Sequence, residues 1–237
     1  ELKEIGLNRL SGSLFERLLG QCKKMEWSES YGMLDTQARM NEEIMNLANK
    51  FFYGNKLRQF QAIRTKELFG ETVGELQKQI KENSLLFIGT EKEDSFSLIS
   101  SEAKAAANVV TQLVEILGER FDDDSIGIIS PFRASCAEIY RMLPEEISEK
   151  ILIDTVERFQ GSEKEIIVLA LPLRSSAQLE NIQSLVEIDG QIIDRKLNVA
   201  ITRAKQRLIV IGNRGILSES AIYSELIGYI EEKNDIS

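Results

Sequence analysis

The chain has 237 residues, of which 43% are hydrophobic and 28% charged, and it carries a net charge of -9. That length holds one large domain or two small ones and buries a sizeable core without staples, while the composition excludes collagen, low-complexity scaffolds and overall disorder. The acidic balance excludes a globally basic, histone-like nucleic-acid binder and leaves a local basic patch to be sought residue by residue.

The sequence contains no histidine, which removes zinc sites of the Cys/His type and histidine-based triads. Cys22 and Cys136 match no metal spacing, so the expected compartment is reducing and intracellular, the cytoplasm. The longest apolar run, 166–173, is too short to cross a bilayer and Pro172 interrupts it, so no membrane partner is expected. No signal peptide opens the chain. It begins at Glu1, mid-pattern, as a piece of something longer or a processed chain would.

In chain order, residues 1–60 read as a helical opening segment, with helices over 13–19 and 41–53. Asn41 suits an N-cap, Glu42 and Glu43 favour the helix dipole, and Met40 is placed to staple to Met45. Residues 61–83 are polar and weakly helical, and are expected at the periphery. Apolar runs at 85–89, 126–130, 151–156, 166–171 and 208–212 predict five strands. Their hydrophobicity is continuous rather than alternating, so both faces are covered, as in parallel sheets flanked by helices. Helices are predicted over 101–117, 132–143, 194–204 and 219–232. Residues 174–190 read as a second peripheral excursion or hairpin, with Ser175 and Ser176 at a turn. Strand–helix alternation points to a doubly wound α/β sheet.

No G-x-x-x-x-G-K-[ST] phosphate loop and no G-x-G-x-x-G occur. Asp122, Asp123 and Asp124 read as a solvated turn, with a metal site as the weaker alternative. Thr155-Val156-Glu157-Arg158-Phe159-Gln160-Gly161-Ser162-Glu163 follows one strand and leads into another. Gly161 permits a tight turn, and Gln160 and Glu163 are expected at the carboxyl edge of the sheet, where ligands bind in such folds. An ordinary connecting loop is the alternative. From Arg195 to Ser218 there are six basic residues and no acid. Part of this run is a solvated face. Arg195, Asn198, Thr202 and Arg203 include pairs at helical spacings, which aims polar groups at anions from one end of the sheet while Leu197, Val199, Ala200 and Ile201 pack.

Four stretches together carry a resemblance: Gln37-Ala38-Arg39-Met40, Ile128-Ile129-Ser130-Pro131-Phe132-Arg133, the 155–163 motif, and Arg195-Lys196-Leu197-Asn198-Val199-Ala200-Ile201-Thr202-Arg203-Ala204. Their order resembles the second, C-terminal RecA-like domain of superfamily 1 helicases. The branch is similar to that of the nonsense-mediated-decay helicase and the DNA-replication helicase–nucleases. Residues 13–18, Ser-Leu-Phe-Glu-Arg-Leu, resemble the segment that leads into this domain. The resemblance covers essentially the whole chain and implies a single RecA-like domain, a three-layer α/β fold with a mostly parallel sheet and helices on both faces.

The resemblance also implies roles. ATP, with Mg2+, would lie in a cleft between this domain and a first RecA-like domain, which would supply the phosphate loop and the magnesium carboxylate. Arg203 corresponds to the arginine finger, Arg39 to its companion and Glu163 to the ribose contact, within a nucleotide-side set that includes Gln37 and Gly161. Gln37 either orients its loop for the nucleotide or is purely structural. Thr155, Pro131, Phe132 and Arg133 are the candidates for contact with single-stranded DNA or RNA, and Phe132 either stacks on a base or packs. The chain itself is expected to supply no metal ligand. It departs from the family pattern at Ala38, usually Tyr, at Ser162, Arg in some relatives, and at Ser135, often Gln. A non-catalytic nucleic-acid-binding or interaction module on the same fold is the alternative to a motor domain.

Overall fold

The structure is a computed structural model that describes residues 14–60, 68–91, 100–188 and 190–235. It divides into two compact units, residues 1–36 and 37–237. In the first, α1 (Leu14–Lys24) is longer than the helix expected over 13–19, and its Leu14, Phe15 and Leu18 side chains are exposed.

The second unit opens with α2 (Glu42–Ala48). Its N-cap is Asn41, as expected, whose Oδ1 accepts from the Ile44 N–H at 3.0 Å. A π-turn, Asn49–Tyr53, continues it to Gly54, which closes the turn at a φ of +56°. The strands follow as β1 (Leu85–Gly89), β2 (Ile126–Ile129), β3 (Leu152–Asp154) and β4 (Lys164–Leu171), then the hairpin strands β5 (Leu185–Ile188) and β6 (Gln191–Asp194), then β7 (Ala204–Gly212). Five of them form one sheet in the order β1-β7-β4-β2-β3. Every pairing in it is parallel.

Alternate residues of the apolar strands feed two separate cores. One face carries Ile129, Ile167, Leu169, Leu208 and Val210, under Ile44 and Leu47 of α2, Leu197 of α6 (Arg195–Ile201) and Leu226 of α7 (Ala221–Asp235). The other carries Ile126, Ile128, Ile166, Val168 and Ile209, under Ile80 of α3 (Glu75–Glu82), Leu113 of α4 (Ser101–Leu117) and Ile139 of α5 (Arg133–Met142). This is the three-layer RecA-like α/β arrangement, and it explains why the strands are hydrophobic without interruption.

Two details differ from the sequence expectations. Residues 75–82, expected at the periphery, bury Ile80 completely. The buried Arg207 guanidinium donates to the carbonyls of Ile80 at 3.1 Å and Lys81 at 2.9 Å, so a strand residue caps the end of α3. Residues 61–67 of that stretch lie outside the described residues. The helix expected over 194–204 is shorter, because the chain leaves α6 at Ile201 and re-enters the sheet at Ala204.

The connection from β3 to β4 joins the two edges of the sheet. It has no regular helix, yet it passes from the carboxyl end of an edge strand to the amino end of a central one. The fully buried Phe159 ring sits on β2 at Gly127, where a Cβ would lie 2.5 Å from its Cζ. Gly127 therefore leaves room for the ring, which pins the crossover to the sheet. Among the described residues no helix is long and apolar enough to cross a membrane.

Candidate functional site

The site residues fall on two opposite edges of the sheet. Glu163 directly precedes β4 and Arg203 directly precedes β7, so both stand at the amino edge. This corrects the expectation that Gln160 and Glu163 lie at the carboxyl edge. Thr155 does follow β3 at that edge, but the intervening residues carry the chain across to the other. Gly161 turns it there with a φ of +93°, a conformation that glycine adopts without strain.

Arg39, Glu163, Arg203 and Lys205 meet at the amino edge. The Arg39 Nε donates to Glu163 Oε2, and its Nη1 donates to the Thr202 carbonyl at 3.2 Å. Lys205 Nζ lies 3.1 Å from Glu163 Oε1. Arg203 Nε donates to the Val199 carbonyl at 3.2 Å and its Nη1 to the Ser162 carbonyl at 3.3 Å, so it caps the end of α6 and ties it to the crossover. Two cations thus hold one carboxylate, and a third, Arg203, is near enough to feel its charge. Burial disfavours the Glu163 charge, but hydrogen bonds and charge from Arg39 and Lys205 outweigh it and hold the carboxyl below its ordinary range. Burial, with the Arg39 charge added, lowers Arg203 from the usual guanidinium value against the pull of Glu163 and Tyr53.

The loop that carries Arg39 is held by its own side chains. Gln37 Oε1 accepts from the N–H groups of Arg39 and Met40, both at 2.8 Å, and its Nε2 donates to the Met40 carbonyl at 3.0 Å. The Asn41 N–H donates to the Lys205 carbonyl at 2.8 Å, and Asn41 Nδ2 donates to the Gln206 carbonyl at 2.8 Å. The loop and the start of β7 are therefore one hydrogen-bonded piece. Ala38 is exposed beside Arg39.

The carboxyl edge gathers Pro131, Phe132, Arg133 and Thr155. Phe132 is half-buried, packs against the core and serves as the N-cap residue of α5 without a side-chain cap. Arg133 is exposed and Thr155 is buried. Lys196 Nζ lies 3.0 Å from Glu157 Oε1. Pro131 and Val156 line a cavity of about 30 Å³, room for a water rather than a base. Asp122 accepts from the Ser125 hydroxyl at 2.6 Å and the Asp124 N–H at 3.1 Å, the bonding of a self-capped turn. Among the described residues no group of three or more His, Cys, Asp or Glu side chains could hold a metal ion.

Lys205 was missed as a site residue. One lysine in a basic run looks solvated, although its spacing of two from Arg203 was a usable signal. Tyr53, whose OH lies 3.5 Å from Asn198 Nδ2, had no signal beyond an aromatic at the end of a helix.

Comparison with known proteins gives the family. A family model described as an AAA domain matches residues 10–215. The uncharacterized ATP-dependent helicase MJ0104 of Methanocaldococcus jannaschii is 32% identical over 243 residues, covering 96% of this chain and 33% of that protein. The DNA replication ATP-dependent helicase/nuclease DNA2 of Xenopus tropicalis is 29% identical, covering 99% of this chain and 23% of that protein. Helicase SEN1 of Saccharomyces cerevisiae is 29% identical, covering 86% of this chain and 9% of that protein. The chain spans about a third or less of the length of these relatives. With a family match over most of its length, the chain belongs to this AAA domain family and is a superfamily 1 helicase domain of the branch that includes the DNA2-type helicases.

Proposed function

We propose that this chain is the second, C-terminal RecA-like motor domain of an ATP-dependent helicase that moves along single-stranded DNA or RNA. The observation that carries the proposal is the amino edge, where three cations stand near a single carboxylate: Arg39 and Lys205 on Glu163, with Arg203 beside them. A surplus of fixed positive charge suits a polyphosphate. The phosphoryl-transfer transition state spreads negative charge over oxygens, and a guanidinium stabilises it without a proton to lose. Arg203 is the finger, Arg39 its companion, and Glu163 accepts from the ribose. Gln37 fixes the Arg39 loop, and Gly161 lets the backbone turn close to the nucleotide.

A first RecA-like domain of the same protein would supply the phosphate loop and hold Mg2+, which neutralises phosphate charge. The carboxyl edge would carry the strand, with Arg133 on phosphates and Thr155 and the Pro131–Phe132 turn setting its path. Such contacts position a strand and read little sequence. The 155–163 crossover reaches both edges, which makes it the physical link between strand binding and hydrolysis. Opening and closing over ATP would drive stepping. The setting is intracellular: both cysteines are free, and burial pushes the Cys136 thiol up to about 11, which leaves it inert.

The alternative, a non-catalytic binding module, draws support from Arg203 itself, whose guanidinium already satisfies backbone carbonyls. An ATPase assay separates the two. The full-length protein should hydrolyse ATP and be stimulated by single-stranded DNA or RNA, and residues 1–237 alone should show no stimulated turnover. Absence of turnover from the full-length protein with either strand contradicts the motor assignment. So does robust turnover from this chain alone.

A further inference from the structure

Lys205 stands two residues beyond Arg203, and the nucleotide role proposed above does not yet use it. Its Nζ is 3.1 Å from Glu163 Oε1, while Arg39 Nε holds the other oxygen, Oε2. Each carboxylate oxygen has its own cation. Arg39 lies on a loop, with its side chain 36% exposed. Lys205 lies on β7, with its side chain 25% exposed and its carbonyl bonded to the Asn41 N–H. Lys205 is the more buried contact and Arg39 the more exposed one.

While Arg39 is bonded to Glu163, it cannot offer its whole fork to a phosphate, because Nε is engaged there and Nη1 is engaged by the Thr202 carbonyl. A half-exposed ion pair is a weak interaction, whereas a guanidinium on phosphate makes paired, charge-assisted bonds. A polyphosphate reaching this edge would compete with Glu163 for Arg39. The carboxylate left behind needs another partner, or it follows Arg39.

We infer that Lys205 is a positioning residue that keeps Glu163 in place when Arg39 transfers to the nucleotide phosphate, so that Glu163 is free to accept from a ribose hydroxyl. The Arg39–Glu163 pair is the resting state of an exchange, and Lys205 is its anchor. This inference rests on the nucleotide role proposed above.

The test compares ATP with 2′-deoxy-ATP as substrates of the full-length protein at saturating single strand. The parent should favour ATP in kcat/KM by about 10-fold or more, the usual scale for a hydrogen bond to a charged group. Lys205→Gln should move that ratio toward unity, chiefly through a higher KM for ATP. Lys205→Arg, which restores a cation, should recover most of the discrimination. Glu163→Gln should lose it to the same extent, and the double variant should be no worse than either single one. A Lys205→Gln protein that keeps the parent ratio overturns the anchor, as does one that loses kcat equally on both nucleotides. If Glu163→Gln keeps the ratio while Arg203→Lys abolishes turnover, the anchor falls and the arginine site stands. If the parent hydrolyses neither nucleotide, both fall together.

Discussion

At the amino edge of the sheet, Arg39 and Lys205 share the Glu163 carboxylate, and Arg203 stands beside them on the carbonyls of Val199 and Ser162. At the carboxyl edge the charges are mostly neutralised in pairs: Lys196 with Glu157 at 3.0 Å, and Arg158 with Asp154 at 3.3 Å. Arg133 is exposed there and has no ion pair among the described residues, and Thr155 is buried. On the proposed reading, the first edge would hold concentrated negative charge in one geometry. On the same reading, the second would offer a nearly neutral track for weak, sequence-tolerant contact with a sliding backbone. One crossover, pinned at Gly127 by the Phe159 ring, touches both.

The largest effect should come from the amino edge. Arg203→Lys in the full-length protein keeps the charge and loses the planar fork, and kcat should fall by roughly 10³-fold or more. Melting temperature, measured on the same preparation, separates this from loss of the helix cap. A stable variant with turnover within a few-fold of the parent removes Arg203 from the catalytic set.

The crossover comes next. Gly127→Ala places a methyl 2.5 Å from Phe159 Cζ and 2.9 Å from Lys164 Cγ. Overpacking of this kind costs about 1–3 kcal/mol, readable by urea unfolding of this chain. Stability equal to the parent would mean that the ring does not hold the crossover down. A smaller gain is expected at Ala38, exposed beside Arg39. Ala38→Tyr should tighten ATP binding of the full-length protein by about 1 kcal/mol if a ring there stacks on the adenine. Unchanged affinity would mean that another residue covers the base.

The smallest effect is the acid response. The Glu163 carboxyl is held below its ordinary value, so the folded state binds this proton less readily than the unfolded state. Its contribution to stability is present above the unfolded pKa and is lost as pH falls through the depressed folded value. Unfolding of this chain should therefore become slightly less acid-sensitive in Glu163→Gln. An unchanged acid limb would show that the Arg39–Glu163–Lys205 cluster adds nothing to folding.

The sheet was legible because its strands are apolar without interruption, and parallel burial allows little else. The amino ends of β4 and β7 were not, because Lys164 and Lys205 are polar and face the edge. The motif residues were legible as a set, but their division between two edges was not. Sequence order gives where a loop begins and ends, and says nothing of how few residues suffice to cross the sheet. Lys205 and Arg207 share that difficulty. One faces a carboxylate and the other a helix end, and in the sequence both are members of a basic run.

The most direct test of the two-edge account is a strand titration of ATPase activity on the full-length protein, with Arg203→Lys and Arg133→Ala compared with the parent. The account predicts that Arg203→Lys lowers the plateau turnover and leaves the strand concentration for half-maximal stimulation near that of the parent. Arg133→Ala should raise that concentration and reduce its log–log dependence on salt by about 0.7, the share of one phosphate contact on a single strand. If Arg203→Lys shifts the strand requirement and Arg133→Ala lowers the plateau instead, the assignment of nucleotide to the amino edge and strand to the carboxyl edge is wrong.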